Sequence, residues 1–329
     1  MILTVIVIAY NRREYIKHAL SSINNQTLKR NEFEVILIKN FIDSDIDSEC
    51  IKSGVKTILM EGTIGEYIKT GIIESTGEVI TFLEDDDEFS MNKLESVITI
   101  YKKEKFDFMK NGFLEIDQSE NKMKRSVQRS THLDRPLKKD VILKKEEVQL
   151  KMLHFLISRG QDFNLSSMSI SRSVANQIGK TIEKIATCPD GAIFLLSLNF
   201  GQKFIFSTLK LTYYRIHESR SRSFASMEIA MEKIKNDGFL QSESLLKVRM
   251  EIEQESLIRI VDEIISVRNI RTATLSQHKG RDSLSTFYPA ISLAISGNIY
   301  AVVWIFIFIL SKFPLVPIRR VVFGYLKGL

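Results

Sequence analysis

The chain has 329 residues, 44% of them hydrophobic, with only 5 Pro and 15 Gly; this apolar content supports one large domain with an appendage and excludes a disordered or fibrous protein. Lys and Arg number 46 against 40 Asp and Glu, a formal charge of +6, which suits an anionic partner without choosing among a nucleotide, a lipid surface and a nucleic acid. Cys50 and Cys188 stand far apart, with no CxxC and no His at ligand spacing, so neither a disulfide framework nor a zinc site is indicated and a reducing compartment is expected.

Thr4-Val5-Ile6-Val7-Ile8-Ala9 is β-branched and does not alternate, as a strand buried on both faces requires. No basic stretch precedes it and it is too short for a signal peptide, so the domain is expected on the cytosolic side. Residues 14–23 carry Ile16, Ala19, Leu20 and Ile23 at helical spacing; 33–38 and 55–60 read as strands, 64–74 as a helix and 78–83 as a fourth strand. Alternating units of this kind predict an α/β fold with a mostly parallel, doubly wound sheet. Leu94, Val97, Ile98 and Tyr101 mark a further helix, and 106–116 returns to strand character. Residues 117–147 are crowded with charged and polar side chains and read as a flexible loop, either a functional lid or a plain solvated insertion. A helix over 148–158, a strand over 165–170, a helix from near Asp190 and a strand over 204–213 follow, and apolar residues at helical spacing over 227–267 predict a helical pair.

Between Asp282 and Lys312 no residue carries a formal charge, and 299–310 is almost wholly apolar around Tyr300 and Trp304. A spanning helix needs about 20 apolar residues, and Pro289, Gly297 and Asn298 interrupt the first half. Arg319, Arg320 and Lys327 follow among apolar residues, as in an amphipathic helix held to anionic lipid. The tail is expected to associate with a membrane, spanning it or lying in its surface; a soluble packing or oligomer helix is the alternative.

The chemistry concentrates after the fourth strand, in Glu84-Asp85-Asp86-Asp87. Adjacent carboxylates repel one another, so a fold that gathers them normally supplies a cation, and an all-oxygen cluster suits Mg²⁺ or Mn²⁺. In an extended segment Glu84 and Asp86 would face one way, Asp85 and Asp87 the other. The plain alternative is a solvated acidic turn before the helix that begins near Ser90.

These residues also carry a resemblance. Val5 to Arg12, Gln26-Thr27, and Phe82 to Phe89 followed by Lys93-Leu94 resemble family 2 glycosyltransferases of the GT-A fold, and Leu211 to His217 with Ser219 and Ser221 is similar to the Tyr-Arg-x-His segment that closes many such domains. The resemblance covers roughly residues 3–223. It implies that Ala9, Tyr10 and Asn11 line the nucleotide, that Asp85 lies near its ribose and phosphates, and that Asp86 ligates a divalent cation with help from Glu84. It places the catalytic base at Asp190, in Cys188-Pro189-Asp190-Gly191; an ordinary helix cap is the alternative. Arg215 would steady the departing diphosphate, and His217 is a weaker candidate for the same task. Three departures from the family pattern stand out: Lys39-Asn40 in place of an Asp pair, with Asn40 still able to bond a base edge; Ile68 beside Lys69 where an Arg is often found; and Pro189 in place of the first acid.

The expectation is therefore an inverting, metal-dependent glycosyltransferase. Its donor is a nucleotide-diphospho-sugar and its acceptor a glycan or a lipid-linked chain, at the inner face of the cell membrane. A catalytically inactive domain that binds a nucleotide or a partner is the alternative. Aspartyl-phosphate phosphatases and receiver domains need an Asp at the end of the first strand, where Ala9-Tyr10-Asn11 stands; nucleotidyltransferases need a Gly-rich basic loop there. Nucleic acid is not an expected partner, since the basic residues of 117–147 are interleaved with acids and lack stacking aromatics. The expected organisation is a nucleotide-sugar half over 1–116, the loop over 117–147, an acceptor half over 148–223, a helical region over 224–284 and the tail over 285–329.

Overall fold

The computed structural model describes residues 1–10, 12–117, 136–216, 227–276 and 284–311. The chain forms two compact units, the first from residues within 1–123, 137–146 and 162–216, the second from residues within 147–161 and 217–329.

The first unit begins with β1 (Leu3–Ala9), α1 (Ile16–Asn24), β2 (Phe33–Lys39), α2 (Ser44–Lys52), β3 (Lys56–Leu59), α3 (Ile64–Glu74) and β4 (Val79–Glu84). β1 pairs in parallel with β2 and with β4, and β2 pairs in parallel with β3. All seven residues of β1 are buried, which is why its sequence shows no alternation. The chain runs outward from β1 to β3, then returns to the other side of β1 as β4. The crevice at the carboxyl ends of β1 and β4 is thus a topological switch point, the usual ligand position in an open α/β sheet.

The rest of the sheet is mixed. β5 (Glu88–Phe89), α4 (Lys93–Glu104), β6 (Phe108–Ile116) and β7 (Val141–Lys144) come next. α5 (Leu150–Ser158) belongs to the second unit; β8 (Met168–Ser171), α6 (Arg172–Ile182), α7 (Pro189–Phe200) and β9 (Lys203–Arg215) complete the first. The strand order is β3-β2-β1-β4-β8-β6-β9-β5, with β7 also on β9. β8 runs antiparallel to both β4 and β6, whereas β6 and β9 are parallel.

Four elements differ from the sequence expectation. α2 is largely polar and buries only Ile46 and Cys50; its start is fixed by Asp43, whose carboxylate accepts from the backbone N–H groups of Asp45 and Ile46. α6 places Val174, Ala175, Ile178 and Ile182 inward from among polar residues. Residues 141–144, inside the loop expected over 117–147, form β7, antiparallel to β9 with only Leu143 buried; residues 118–135 of that loop lie outside the described residues. In the tail, α10 runs through Pro289, so that of the expected interruptions the break comes at Gly297, whose φ of 95° favours glycine.

The second unit consists of α5, α8 (Met227–Arg249), α9 (Glu255–Ser276), α10 (Leu284–Ile295) and α11 (Ile299–Ser311). Leu257, Ile260, Val261 and Ile270 of α9, Leu293 of α10 and Trp304, Ile307 and Phe308 of α11 are buried. Buried Glu263 joins three helices: His154 Nε2 lies 2.5 Å from one carboxylate oxygen, and Ser292 Oγ donates to the other at 2.7 Å. Asn298 caps α11 by accepting from Ala301 N at 3.0 Å. Among the described residues no helix is long and apolar enough to cross a membrane.

Candidate active site

β4 does not continue as extended chain past Glu84. Asp85 N donates to Ile8 O of β1 at 3.0 Å, and Asp87 N donates back to Glu84 O at 3.2 Å, which closes a turn over Asp85 and Asp86. The expected alternation of side chains along the run is therefore replaced by a turn that brings both carboxylates to one guanidinium. Arg12 Nη2 donates to Asp85 Oδ1 and Nη1 to Asp86 Oδ2, each at 2.5 Å. The two acids are 2% and 1% exposed, the arginine side chain 34%. Burial, reinforced by the charge of Asp86, pushes the Asp85 carboxyl up to about 7 against the opposing pull of Arg12.

Arg215, expected at the diphosphate, is fully buried behind this turn. Its Nε donates to Asp86 O and its Nη1 to Asp117 O, both at 3.1 Å; Nη2 pairs with Glu88, and its backbone N–H donates to Asp87 Oδ1 at 3.1 Å. The guanidinium also lies 4.8 Å from the centre of the Tyr15 ring. With its donors used in this way, Arg215 acts on the site by holding the acidic loop in place. Asn11 and His217 lie outside the described residues.

At the end of β1, Ala9 is buried and Tyr10 is 44% exposed. The Tyr10 ring rests edge-on against that of Tyr67, 5.7 Å between centroids. Tyr67 is buried and donates to Met60 O at 2.8 Å, and burial pushes its phenol up to about 12. At the end of β2 the Lys39-Asn40 pair divides. Lys39 is turned inward, its ammonium 2.7 Å from Asp47 and 2.8 Å from Phe41 O, so Asn40 is the half-buried polar side chain left at that strand end. Ile68 is buried in α3, and Lys69 pairs with Glu183 at 2.5 Å.

Asp190 sits in the first turn of α7, after Pro189; the cap position is taken by Cys188. One carboxylate oxygen accepts from Asn164 N at 3.0 Å, the other from Gly191 N at 2.9 Å. Its partner Asn164 is held at φ 70° and the cap residue Cys188 at φ 52°, and strain of this kind in non-glycine residues gathers at functional sites. Two lysines are buried in this part of the first unit: Lys93, which the sequence offered only within the Lys93-Leu94 motif, and Lys110, which it did not single out. Lys110 is buried, donates to Asn111 O at 3.0 Å, and is pushed down to about 7 by burial, against the favourable charges of Asp190, Asp162 and Asp87. Lys93, also buried, donates to Ser166 O at 2.5 Å and to Thr212 Oγ1 at 3.1 Å; burial and the charge of Lys110 hold it well below the ordinary lysine range. The sequence signal for Lys93 was its place in the family motif, and for Lys110 no more than a lysine in a strand that also holds Asn111 and Glu115.

The fit of a divalent cation rests on Asp85 and Asp86. Among the described residues no group of three His, Cys, Asp or Glu side chains is placed to hold a metal, so Glu84 does not complete a protein cage. Mg²⁺ sites built on one or two carboxylates plus substrate phosphates and water need no third protein ligand. Asp85 Oδ2 is buried and accepts no hydrogen bond among the described residues, which leaves acceptor capacity that a cation would use. The donor set fits such a site.

Residues 4–164 match the family model described as glycosyl transferase family 2. An uncharacterized glycosyltransferase of Rickettsia bellii is 26% identical over 243 residues, which is 69% of this chain and 34% of that protein; the chain spans about a third of the length of this curated relative. Among solved structures, S. aureus TarS 1-349 in complex with UDP-GlcNAc superposes with a TM-score of 0.57 at 14% identity, covering 100% of this chain and 90% of that one. The mannosyltransferase PcManGT from Pyrobaculum calidifontis, in complex with GDP-Man and Mn²⁺, superposes with a TM-score of 0.55 at 11% identity, covering 99% and 84%. The fold is therefore the GT-A arrangement that the sequence motifs implied.

Proposed function

Starting from a chain whose residues 4–164 are a family 2 glycosyltransferase domain, we propose that the protein transfers a sugar from a nucleotide-diphospho-sugar to a hydroxyl acceptor, with inversion and with a divalent cation. The observation that carries this reading is the pair of buried carboxylates, Asp85 and Asp86, at the β1–β4 switch point of the sheet. The GT-A neighbours bind donors of this class, UDP-GlcNAc in one and GDP-Man with Mn²⁺ in the other.

In this reading Ala9, Tyr10 and Asn40 border the nucleotide, and Asp86 and Asp85 hold the cation. The bound cation supplies positive charge to the departing diphosphate. Asp190 accepts the proton of the acceptor hydroxyl as its oxygen attacks the anomeric carbon, and the bonding pair of the broken C–O bond leaves with the nucleoside diphosphate; one displacement inverts the centre. Asn164 N–H and Gly191 N–H fix the orientation of the Asp190 carboxylate. The ammonium of Lys110 supports the negative charge there.

The test is release of nucleoside diphosphate from a panel of nucleotide-sugars with Mn²⁺. Wild type should release it from at least one donor and Asp86→Ala from none; wild type inert toward every donor, with no nucleotide binding, would sink the reading.

The acceptor is proposed to be a glycan or lipid-linked chain at the cytosolic membrane face, because the tail offers an apolar surface. Tyr288, Ile291 and Ile295 of α10 and Val302, Phe306 and Ile309 of α11 are exposed, and residues 283–329 contain Lys312, Arg319, Arg320 and Lys327 but no Asp or Glu. A short apolar hairpin with cationic flanks suits the interface of an anionic bilayer. Removing residues 285–329 should abolish cosedimentation with anionic vesicles; a truncated protein that still sediments excludes the tail as anchor.

A further inference from the structure

Arg12 stands in the sequence only as the end of the first-strand motif, yet it makes a polar contact with each of the two acids of the turn. Its two terminal nitrogens each take one oxygen from a different carboxylate, Asp85 Oδ1 and Asp86 Oδ2, at 2.5 Å. The acids are buried while the arginine is partly open to solvent, so the guanidinium lies over them as a tethered cation with a route outward. It follows β1 within three residues, on the loop at the switch point where a diphosphate would arrive.

A guanidinium and a metal ion compete for one pair of carboxylates even where the ion enters through Asp85 Oδ2, the oxygen that Arg12 does not touch. Mg²⁺ holds carboxylate oxygen at about 2.0–2.1 Å, so it would stand close to the guanidinium, and two cations so close repel strongly in a site of low dielectric. A guanidinium never gives up its charge at ordinary pH, so it cannot make way by losing a proton. It can only move, and a planar fork displaced from two carboxylates finds an equivalent partner in a phosphate group, which it binds with the same paired geometry.

Resting on the proposed donor site, we infer that Arg12 is an exchangeable counter-ion. It neutralises Asp85 and Asp86 when no metal is present, yields them to the divalent cation, and moves onto the donor's diphosphate. Metal and nucleotide binding are then linked through one side chain. The cation alone must displace Arg12 for little return, whereas with a diphosphate present the displaced guanidinium gains a new partner. Arg12 is a positioning and donor-binding residue on this account, and the linkage must be reciprocal.

The experiment measures Mn²⁺ binding by electron paramagnetic resonance on the full chain without nucleotide, and UDP and GDP binding by calorimetry with and without Mn²⁺. Arg12→Gln should bind Mn²⁺ alone about tenfold more tightly than wild type, bind the diphosphates in Mn²⁺ about tenfold more weakly, and lose most of the coupling between the two. Arg12→Lys, which keeps the charge but not the fork, should fall between them. Thermal melts provide a second readout. Without the guanidinium the buried acids lose their counter-ion, so Arg12→Gln should melt lower than wild type and gain more from Mn²⁺ alone. If Arg12→Gln binds Mn²⁺ no more tightly than wild type, or gains no more from it in the melt, Arg12 is a structural brace and the inference fails. Wild type that binds neither Mn²⁺ nor any nucleoside diphosphate would instead overturn the donor site itself.

Discussion

The two halves of the sheet are built on opposite terms. In β3-β2-β1-β4 the buried residues are overwhelmingly aliphatic, the polar exceptions being Thr4, Lys39 and Thr81. Across β8, β6 and β9, and in the segments leading into them, the interior holds Lys93, Lys110, Asn111, Ser166, Ser167, Ser169, Thr212 and Arg215. Buried polar groups cost free energy unless every hydrogen bond is made. Asn111, Thr212 and Ser166 are linked in one network, with Asn111 Nδ2 donating to Thr212 Oγ1 at 3.0 Å and Thr212 Oγ1 donating to Ser166 O at 3.1 Å. The aliphatic half is a scaffold whose loops carry the acids; the polar half holds two buried lysines, of which Lys110 lies within electrostatic reach of Asp190. Substitutions should therefore separate by half, with losses of stability on one side and losses of turnover on the other.

The largest effect is expected in the polar half. Asp190→Asn keeps the size of the side chain and an oxygen to accept from Asn164 N, but cannot take a proton. Turnover should fall by about 10² to 10⁴, the usual contribution of a positioned general base, while affinity for the nucleoside diphosphate and the melting temperature stay near wild type. A variant that turns over normally would remove Asp190 from the mechanism. One that melts far below wild type would make it a structural residue, and the comparison between the halves would lose its chemical side.

The aliphatic half should break by packing alone. At Gly65, in the first turn of α3, an added Cβ would meet Ile182 O at 2.0 Å and Ile185 O at 2.6 Å, and both are backbone atoms that cannot rotate away. Gly65→Ala should cost about 3 kcal/mol, at the upper end for overpacking, read as an earlier denaturation midpoint. Protein that remains folded should keep its metal and nucleotide affinities. A melt unchanged from wild type would show that α3 and α6 slide apart freely.

The same division explains what the sequence disclosed. β1, β2 and β4 announce themselves because a strand covered on both faces must be apolar at nearly every position, and the acidic run follows one of them directly. α6 and α2 stay hidden because few of their side chains face inward, and β7 because only Leu143 does. At Asp85 and Asp86 the sequence left two readings open, an extended run and an acidic turn, since four acids in a row carry no turn signal such as Gly or Pro. What placed Arg12 on the acids and Arg215 behind them was the parallel pairing of β1 with β4 and the seating of β9 beside β5, contacts between segments some 70 and 130 residues apart in sequence. No local pattern encodes contacts of that range.

Lys110 offers the finest test of the comparison, because its two roles pull in opposite directions. Its pKa in the folded chain is about 7, against an ordinary value of 10.5. Between those limits the unfolded chain holds a proton that the folded chain has released, so the unfolded state binds more protons and stability from this group rises with pH. The destabilisation is fully present below about pH 7 and is relieved as pH climbs toward 10.5. Burial lowers the pKa, and Asp190, Asp162 and Asp87 favour the charged form without outweighing burial. Lys110→Met removes the buried cation while keeping its length. The variant should be more stable than wild type by about 1–2 kcal/mol at pH 7, within the range seen when buried charges give way to apolar groups. That advantage should shrink steadily in melts carried toward pH 10, and turnover should fall because Asp190 loses the positive charge within its electrostatic reach. A methionine variant that melts lower at every pH would mean that the three acids bind Lys110 more strongly than burial penalises it, and the polar half would then be a source of stability in its own right.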